Sequence, residues 1–270
     1  MRKLSSFPKS LVKQVLLKSG IIIRRIPSAS RDMALSFDEE FEDVFHLVQD
    51  HTMVPKEGLK CLYDQTIFCE RNMIPGDYVE CGVWKGGSVG VMALANLKHG
   101  RSRRALHLFD AFDDICEPDA AVDGARAVTE VQRWTKSGGT QGKLVPLKGI
   151  YDQFGGHGTI HACRTLLEKT IRYDGSHIHY HQGWFQETLP LQSGAIKHIA
   201  ILRLDGDWYA STKVCLDHLF EKVVPGGFVI IDDYGTYDGC RKAVGEFLAK
   251  LERPLFLNVV NSEIRYLIKG

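Results

Sequence analysis

The chain has 270 residues, 44% hydrophobic and 25% charged, with a net charge of +1. This composition excludes disordered, collagen-like and low-complexity classes, and no run approaches the ~18 consecutive apolar residues of a membrane-spanning helix. Residues 1–31 hold eight Lys/Arg and no acid, leaving 26 basic against 33 acidic residues in the body, which excludes a broadly basic nucleic-acid-binding surface.

The first segment, residues 1–35, is a basic arm. Leu11, Val12, Val15 and Leu16 recur at helical spacing with lysines between them. A basic amphipathic helix suits packing on the body or on a second subunit, or peripheral contact with an anionic membrane surface. The start does not read as a secretory signal, because Lys13 and Gln14 break the apolar run and no small-residue cleavage site follows Ile21–Ile23. Seven cysteines with no CxxC pair read as reduced thiols of a cytoplasmic protein.

Residues 36–270 form the second region. A helical stretch over 36–73 leads to the turn Ile74-Pro75-Gly76-Asp77. Strands are then predicted over Tyr78–Val83, Ala105–Phe112, His177–Gln182, His198–Leu204 and Phe228–Ile231. Helices are predicted over Ser88–Leu97, Ser211–Val223 and Gly239–Leu251. Strands separated by helices imply right-handed crossovers and a parallel sheet. Leu255–Val260 and Ile264–Ile268 are joined by only three residues, which makes an antiparallel hairpin. The expected fold is therefore α/β, a doubly wound mixed sheet. Residues 113–176 break the alternation and contain helical pieces over Ala120–Trp134 and Ile160–Ile171. An insertion of this size reads as a lid over the site.

Three motifs carry the chemistry. Glu80, Gly82, Val83, Trp84, Gly86 and Ser88 belong to a glycine-containing motif at the end of the first strand, where the backbone can approach a ligand. The spacing is not the dinucleotide G-x-G-x-x-G, and an acid before the turn suits a ligand with a cationic end, such as S-adenosylmethionine. Asp110 ends the second strand, where doubly wound folds hydrogen-bond the ribose of an adenosine cofactor. Asp205 and Asp207 follow the fourth strand, and Asp232 and Asp233 follow the fifth. Four carboxylates at one rim would repel each other, and oxygen-only ligands suit Mg²⁺ better than Zn²⁺. Asp205 would then hold metal, with Asp207 beside it as a base.

His177, His179 and His181 alternate along the third strand, but ligands ~7 Å apart on one strand are too far apart to share a zinc ion. Met53, Met73 and Met92 read as core fillers.

Together these residues resemble the macrocin O-methyltransferase (TylF/MycF) family of S-adenosylmethionine- and Mg²⁺-dependent sugar O-methyltransferases. The similarity covers residues 50–270 and rests on Gly76–Ser88, Leu108–Phe112, Gly183–Pro190, Leu204–Thr212 and Pro225–Tyr234. It implies a class I methyltransferase fold, with Glu80, Gly82, Val83, Trp84, Gly86 and Ser88 at the cofactor turn and Asp110 on the ribose. It further implies Gly183 and Trp184 near the adenine, Asp205, Asp232 and Asp233 on Mg²⁺, and Asp207 as general base. The chain departs from the family pattern at Ala111, Asp113 and Ala210. The expected activity is methylation of a sugar hydroxyl in a glycosylated natural product, surface polysaccharide or glycolipid, by a homodimer. The rivals are a catechol- or phenol-directed methyltransferase, a non-catalytic cofactor-binding protein docked to a membrane complex and, weakest, an NAD-linked dehydrogenase.

Overall fold

The computed structural model describes residues 39–135 and 139–270. The basic arm expected over 1–35 lies outside them. Among the described residues no helix is long and apolar enough to cross a membrane, and all seven cysteines are free thiols.

Two helices precede the sheet, α1 (Glu39–Val48) and α2 (Lys56–Arg71). Pro55 separates them by holding an extended conformation immediately before α2. The sheet and its helices then alternate as β1 (Asp77–Cys81), α3 (Gly87–His99), β2 (Leu106–Asp110), α4 (Gly124–Trp134), α5 (Ile160–Arg164), β3 (Ile178–Gln182) and α6 (Phe185–Gln192). They continue as β4 (Ile199–Leu204), α7 (Tyr209–Leu219), β5 (Val223–Ile231), α8 (Asp238–Leu248), β6 (Asn258–Val259) and β7 (Arg265–Ile268). The strand order is β3-β2-β1-β4-β5-β7-β6. The first five strands pair in parallel, and β7 runs antiparallel to both β5 and β6. This is the mixed doubly wound sheet that the alternation of strands and helices, with its terminal hairpin, predicts.

Burial explains which strands are apolar. All six residues of β4, and four of five in β1 and in β2, are buried, as parallel strands covered by helices on both faces must be. The edge strand β3 buries only Ile178, so it tolerates His179, His181 and Gln182. Replacing the fully buried Leu202 of β4 by Ala is expected to cost ~2–5 kcal/mol, read as a lowered urea midpoint.

Several boundaries differ from the sequence expectation, each for a local reason. Strand β5 starts at Val223, because a register irregularity opposite Ile199–Ile201 absorbs Pro225 and Gly226, the latter at φ +82°. The hairpin strands are shorter because Asn261 Oδ1 accepts the N–H groups of Glu263 and Ile264, extending the turn. Helix α4 begins at Gly124, not Ala120, after a turn in which Asp123 N donates to Asp119 O. After Arg164, α5 widens into a π turn over Thr165–Thr170. Helix α6 was not anticipated by the strand–helix reading.

The three alternating histidines resolve differently. His177 lies in a 3-10 turn before β3, while His179 and His181 meet His107 of β2. The His107 ring stacks on His179 at 4.7 Å, and its Nδ1 lies 3.0 Å from His181 Nε2. Burial, chiefly, pushes the pKa values of His179 and His181 down. Among the described residues this group is not a metal-binding cluster.

Candidate active site

The site lies where the parallel strands end. Ladder hydrogen bonds continue one residue past each strand: Gly82 N to Phe109 O (2.9 Å), Gly183 N to Asp110 O (3.0 Å), Asp205 N to Cys81 O (2.8 Å) and Asp232 N to Leu204 O (2.9 Å). All three motifs, with Gly183-Trp184, are thereby held on one rim, the usual ligand edge of an open α/β sheet.

The glycine turn is built by close approach. A Cβ on Gly82 would lie 1.8 Å from the Asp205 carbonyl oxygen, and Gly82 sits at φ +87°. Gly86 caps α3 in the left-handed region, and Ser88 is buried in the first turn of that helix. Asp110 holds the turn in place. Its Oδ2 accepts the N–H groups of Val83 (2.6 Å) and Trp84 (3.0 Å), and its Oδ1 accepts that of Phe112 (2.6 Å). Burial pushes the Asp110 carboxyl up, against the three donors that favour its charged form. Trp84, Phe112 and Asp207 all hold positive φ at this rim, a conformation that costs energy and clusters at functional sites.

Two cavities open on the rim. The first, about 660 Å³ including space open to solvent, is lined by Gly82, Trp84, Asp110, Gly183, Trp184 and Phe185 among others. The second, about 1060 Å³ on the same measure, is lined by aromatic residues Trp134, Tyr151, Phe154, Trp208 and Tyr237, with Arg126, Glu130, Asp232 and Asp233. Asp205, Asp207, Tyr151, Ile115 and Met53 line both. Met53 is therefore not a core filler as its residue type suggests: it is 47% exposed and faces the junction. Met73 is exposed as well, and Met92 is buried.

The carboxylates divide into two groups. One oxygen from each of Asp205, Asp207 and Asp233 falls within 4.8 Å of the others. Asp232 stands outside this triplet, with its Oδ1 2.5 Å from Arg203 Nη2. Arg203 Nη1 also meets Asp205 Oδ2 (2.9 Å) and Glu80 Oε1 (2.6 Å). Glu80 thus points at Arg203 rather than lining either cavity, and its Oε2 is buried without a partner. Burial pushes Glu80 up to about 8 and Asp232 up to about 7, each against the pull of Arg203. Asp207 and Asp233 lie well above the ordinary carboxylate range, through burial and then their neighbouring aspartates. Crowded oxygen donors with a single guanidinium among them fit a hard divalent cation.

The insertion is fastened to this rim. Trp208 Nε1 donates to Cys116 O (2.9 Å), and Tyr209 N, at the start of α7, donates to Asp123 Oδ1 (2.7 Å). Further on, Trp84 Nε1 donates to Gly156 O (3.1 Å) and Lys85 Nζ to Phe154 O (3.0 Å). Asp123 supplies α7 with a cap from a distant segment. Asp123→Ala is expected to cost ~1–2 kcal/mol and to raise hydrogen exchange over residues 114–135.

The model of the Macrocin-O-methyltransferase (TylF) family matches residues 10–158 and 163–262. The chain belongs to this family. It is an O-methyltransferase with a class I, Rossmann-like fold. It is 36% identical over 201 residues, 73% of this chain and 67% of the other, to the 8-demethyl-8-(2,3-dimethoxy-alpha-L-rhamnosyl)-tetracenomycin-C 4'-O-methyltransferase of Streptomyces olivaceus. It is 31% identical, over 75% of this chain and 69% of the other, to the demethyldecarbamoylnovobiocin O-methyltransferase of Streptomyces niveus. Among solved structures it resembles the O-methyltransferase NovP, with TM-score 0.64 and 28% identity over 81% of this chain and 82% of that one.

Of the residues singled out from sequence, Gly82, Trp84, Asp110, Gly183, Trp184, Asp205 and Asp207 line the first cavity. Asp232 and Asp233 line the second, while Val83, Gly86 and Ser88 belong to the glycine turn whose Gly82 and Trp84 line the first. The sequence reading missed Arg203, Tyr151 and the aromatic wall of the second cavity. Arg203 had a legible signal, a lone charge inside the apolar run Ile199–Leu204, where burial demands a partner. Trp134, Tyr151 and Phe154 sit in an insertion whose local pattern carries no such mark, whereas Trp208 and Tyr237 follow the fourth and fifth strands.

Proposed function

We propose that the chain transfers a methyl group from S-adenosylmethionine to a sugar hydroxyl, with Mg²⁺ held at the aspartate rim. The observation carrying this reading is that Asp205 and Asp207 line both cavities, so one cavity takes the cofactor and the other the acceptor. The glycine cradle, Asp110 and Trp184 suit the first to an adenosine cofactor. The second mixes aromatic faces with Arg126, Glu130 and Gln153, which suits a sugar better than a uniformly apolar slot would. The 36%-identical relative is named for a rhamnosyl acceptor, so rhamnosyl glycosides are the first acceptors to profile.

Asp205 and Asp233 are the proposed common metal ligands, with Asp232 completing the set. When bound, Mg²⁺ lowers the pKa of the acceptor hydroxyl it meets. Asp207, at the junction, takes the hydroxyl proton as the new O–CH₃ bond forms and the sulfonium C–S bond breaks. The walls of both cavities hold the two reactants in line.

Calorimetry tests the cofactor assignment. S-adenosylhomocysteine is expected to bind at about micromolar Kd, and NAD not at all. Binding of NAD without S-adenosylhomocysteine would end this reading. EDTA is expected to abolish turnover and Mg²⁺ to restore it; a rate indifferent to EDTA would remove the metal from the mechanism.

A further inference from the structure

Among the described residues the largest fully buried side chain is Arg203, whose three carboxylate partners come from three different strand ends. It lies on β4 directly opposite Glu80 of β1, in register with Ile230 of β5. That register sends its guanidinium along the rim, between the ends of all three strands. Nη1 donates to Glu80 Oε1 and Asp205 Oδ2, and Nη2 donates to Asp232 Oδ1. Each aspartate thus spends one oxygen on Arg203 and keeps the other. A planar fork fixes direction as well as charge, which an ammonium cannot do.

We propose that Arg203 is a positioning residue for the metal: it orients Asp205 and Asp232 so that their remaining oxygens face the ion. Glu80, which lines neither cavity, anchors the guanidinium from β1. The inference rests on the metal reading given above.

The sign of one measurement separates this role from that of a buried counter-charge. By Coulomb's law alone, deleting a cation beside a divalent ion raises the affinity of the ion. A positioning role gives the reverse, since removing outer partners of metal ligands lowers affinity by about 10–100-fold. Mn²⁺ serves as the probe, with free ion counted by electron paramagnetic resonance at saturating S-adenosylhomocysteine. Arg203→Lys keeps the charge and loses the fork; Arg203→Met loses both. Both variants are expected to bind Mn²⁺ about 10–100-fold more weakly, with S-adenosylhomocysteine affinity and circular dichroism as in the wild type. If Arg203→Met does not fold, Arg203→Lys decides the question. Undiminished Mn²⁺ affinity in Arg203→Lys, or tighter binding in Arg203→Met, overturns the proposal while leaving the metal reading intact. Failure of the wild type to bind Mn²⁺ overturns the metal reading and this inference with it.

Discussion

Asp207→Asn is expected to lower turnover about 10²–10⁴-fold, the range for a lost general base. The substitution is unusually clean here. Asp207 holds φ +53°, a left-handed conformation that Asn adopts readily, so backbone strain does not confound the result. The Asp207 N–H donates to Asp233 Oδ2 at 3.0 Å, and that bond survives the change. Because a bound metal would already acidify the hydroxyl, the loss belongs toward the low end of the range. Single-turnover rates on the acceptor found by profiling, with Mn²⁺ and S-adenosylhomocysteine affinities, provide the check. Asp205→Asn and Asp233→Asn are expected instead to weaken Mn²⁺ binding and to be partly rescued by excess metal. Normal turnover in Asp207→Asn would remove it from the chemistry. A large loss of Mn²⁺ affinity in the same variant would place Asp207 on the metal, beside the two aspartates it already meets.

Gly82→Ala is the second large effect, expected to cost about 3 kcal/mol or more and to abolish S-adenosylhomocysteine binding. Its Cβ would lie 1.8 Å from Asp205 O and 2.8 Å from Asp205 C, both backbone atoms held by the β1–β4 ladder. Neither can rotate away as a side chain would. The positive φ adds a further penalty for any residue with a Cβ. Relief requires the first and fourth strand ends to part, and they carry the cofactor turn and the aspartate rim. Urea denaturation and calorimetry read the two consequences; native stability with native affinity would contradict this account of the turn.

The parallel core was legible because its strands are continuous apolar runs between helices, a pattern set by burial on both faces. The rim was legible for a related reason: Asp110, Asp205 and Asp232 sit at or one residue past strand ends, and topology brings those ends together. Partners fixed by lateral register were harder to read. Glu80 reads as a cofactor contact because it precedes the glycine turn, and nothing along the chain shows that its strand neighbour is Arg203. Distances along one chain do not show which residues face each other across a sheet. The same limit hid His107, the neighbour of His179 and His181. The insertion was legible only as an interruption, because its contacts with Trp84, Trp208 and Tyr209 run between segments far apart in sequence.

Those fastenings bear on how reactants come and go. Swinging the insertion aside as a flap would break the bonds from Trp208 to Cys116, from Tyr209 to Asp123, from Trp84 to Gly156 and from Lys85 to Phe154. At about 1 kcal/mol apiece, such an opening would occupy roughly one molecule in several hundred. Traffic is easier through the mouth that already exists, where Trp134 and Phe154 are partly exposed at the edge of the second cavity. The width of that doorway, rather than the swing of a flap, then limits how large an acceptor can reach the aspartate rim.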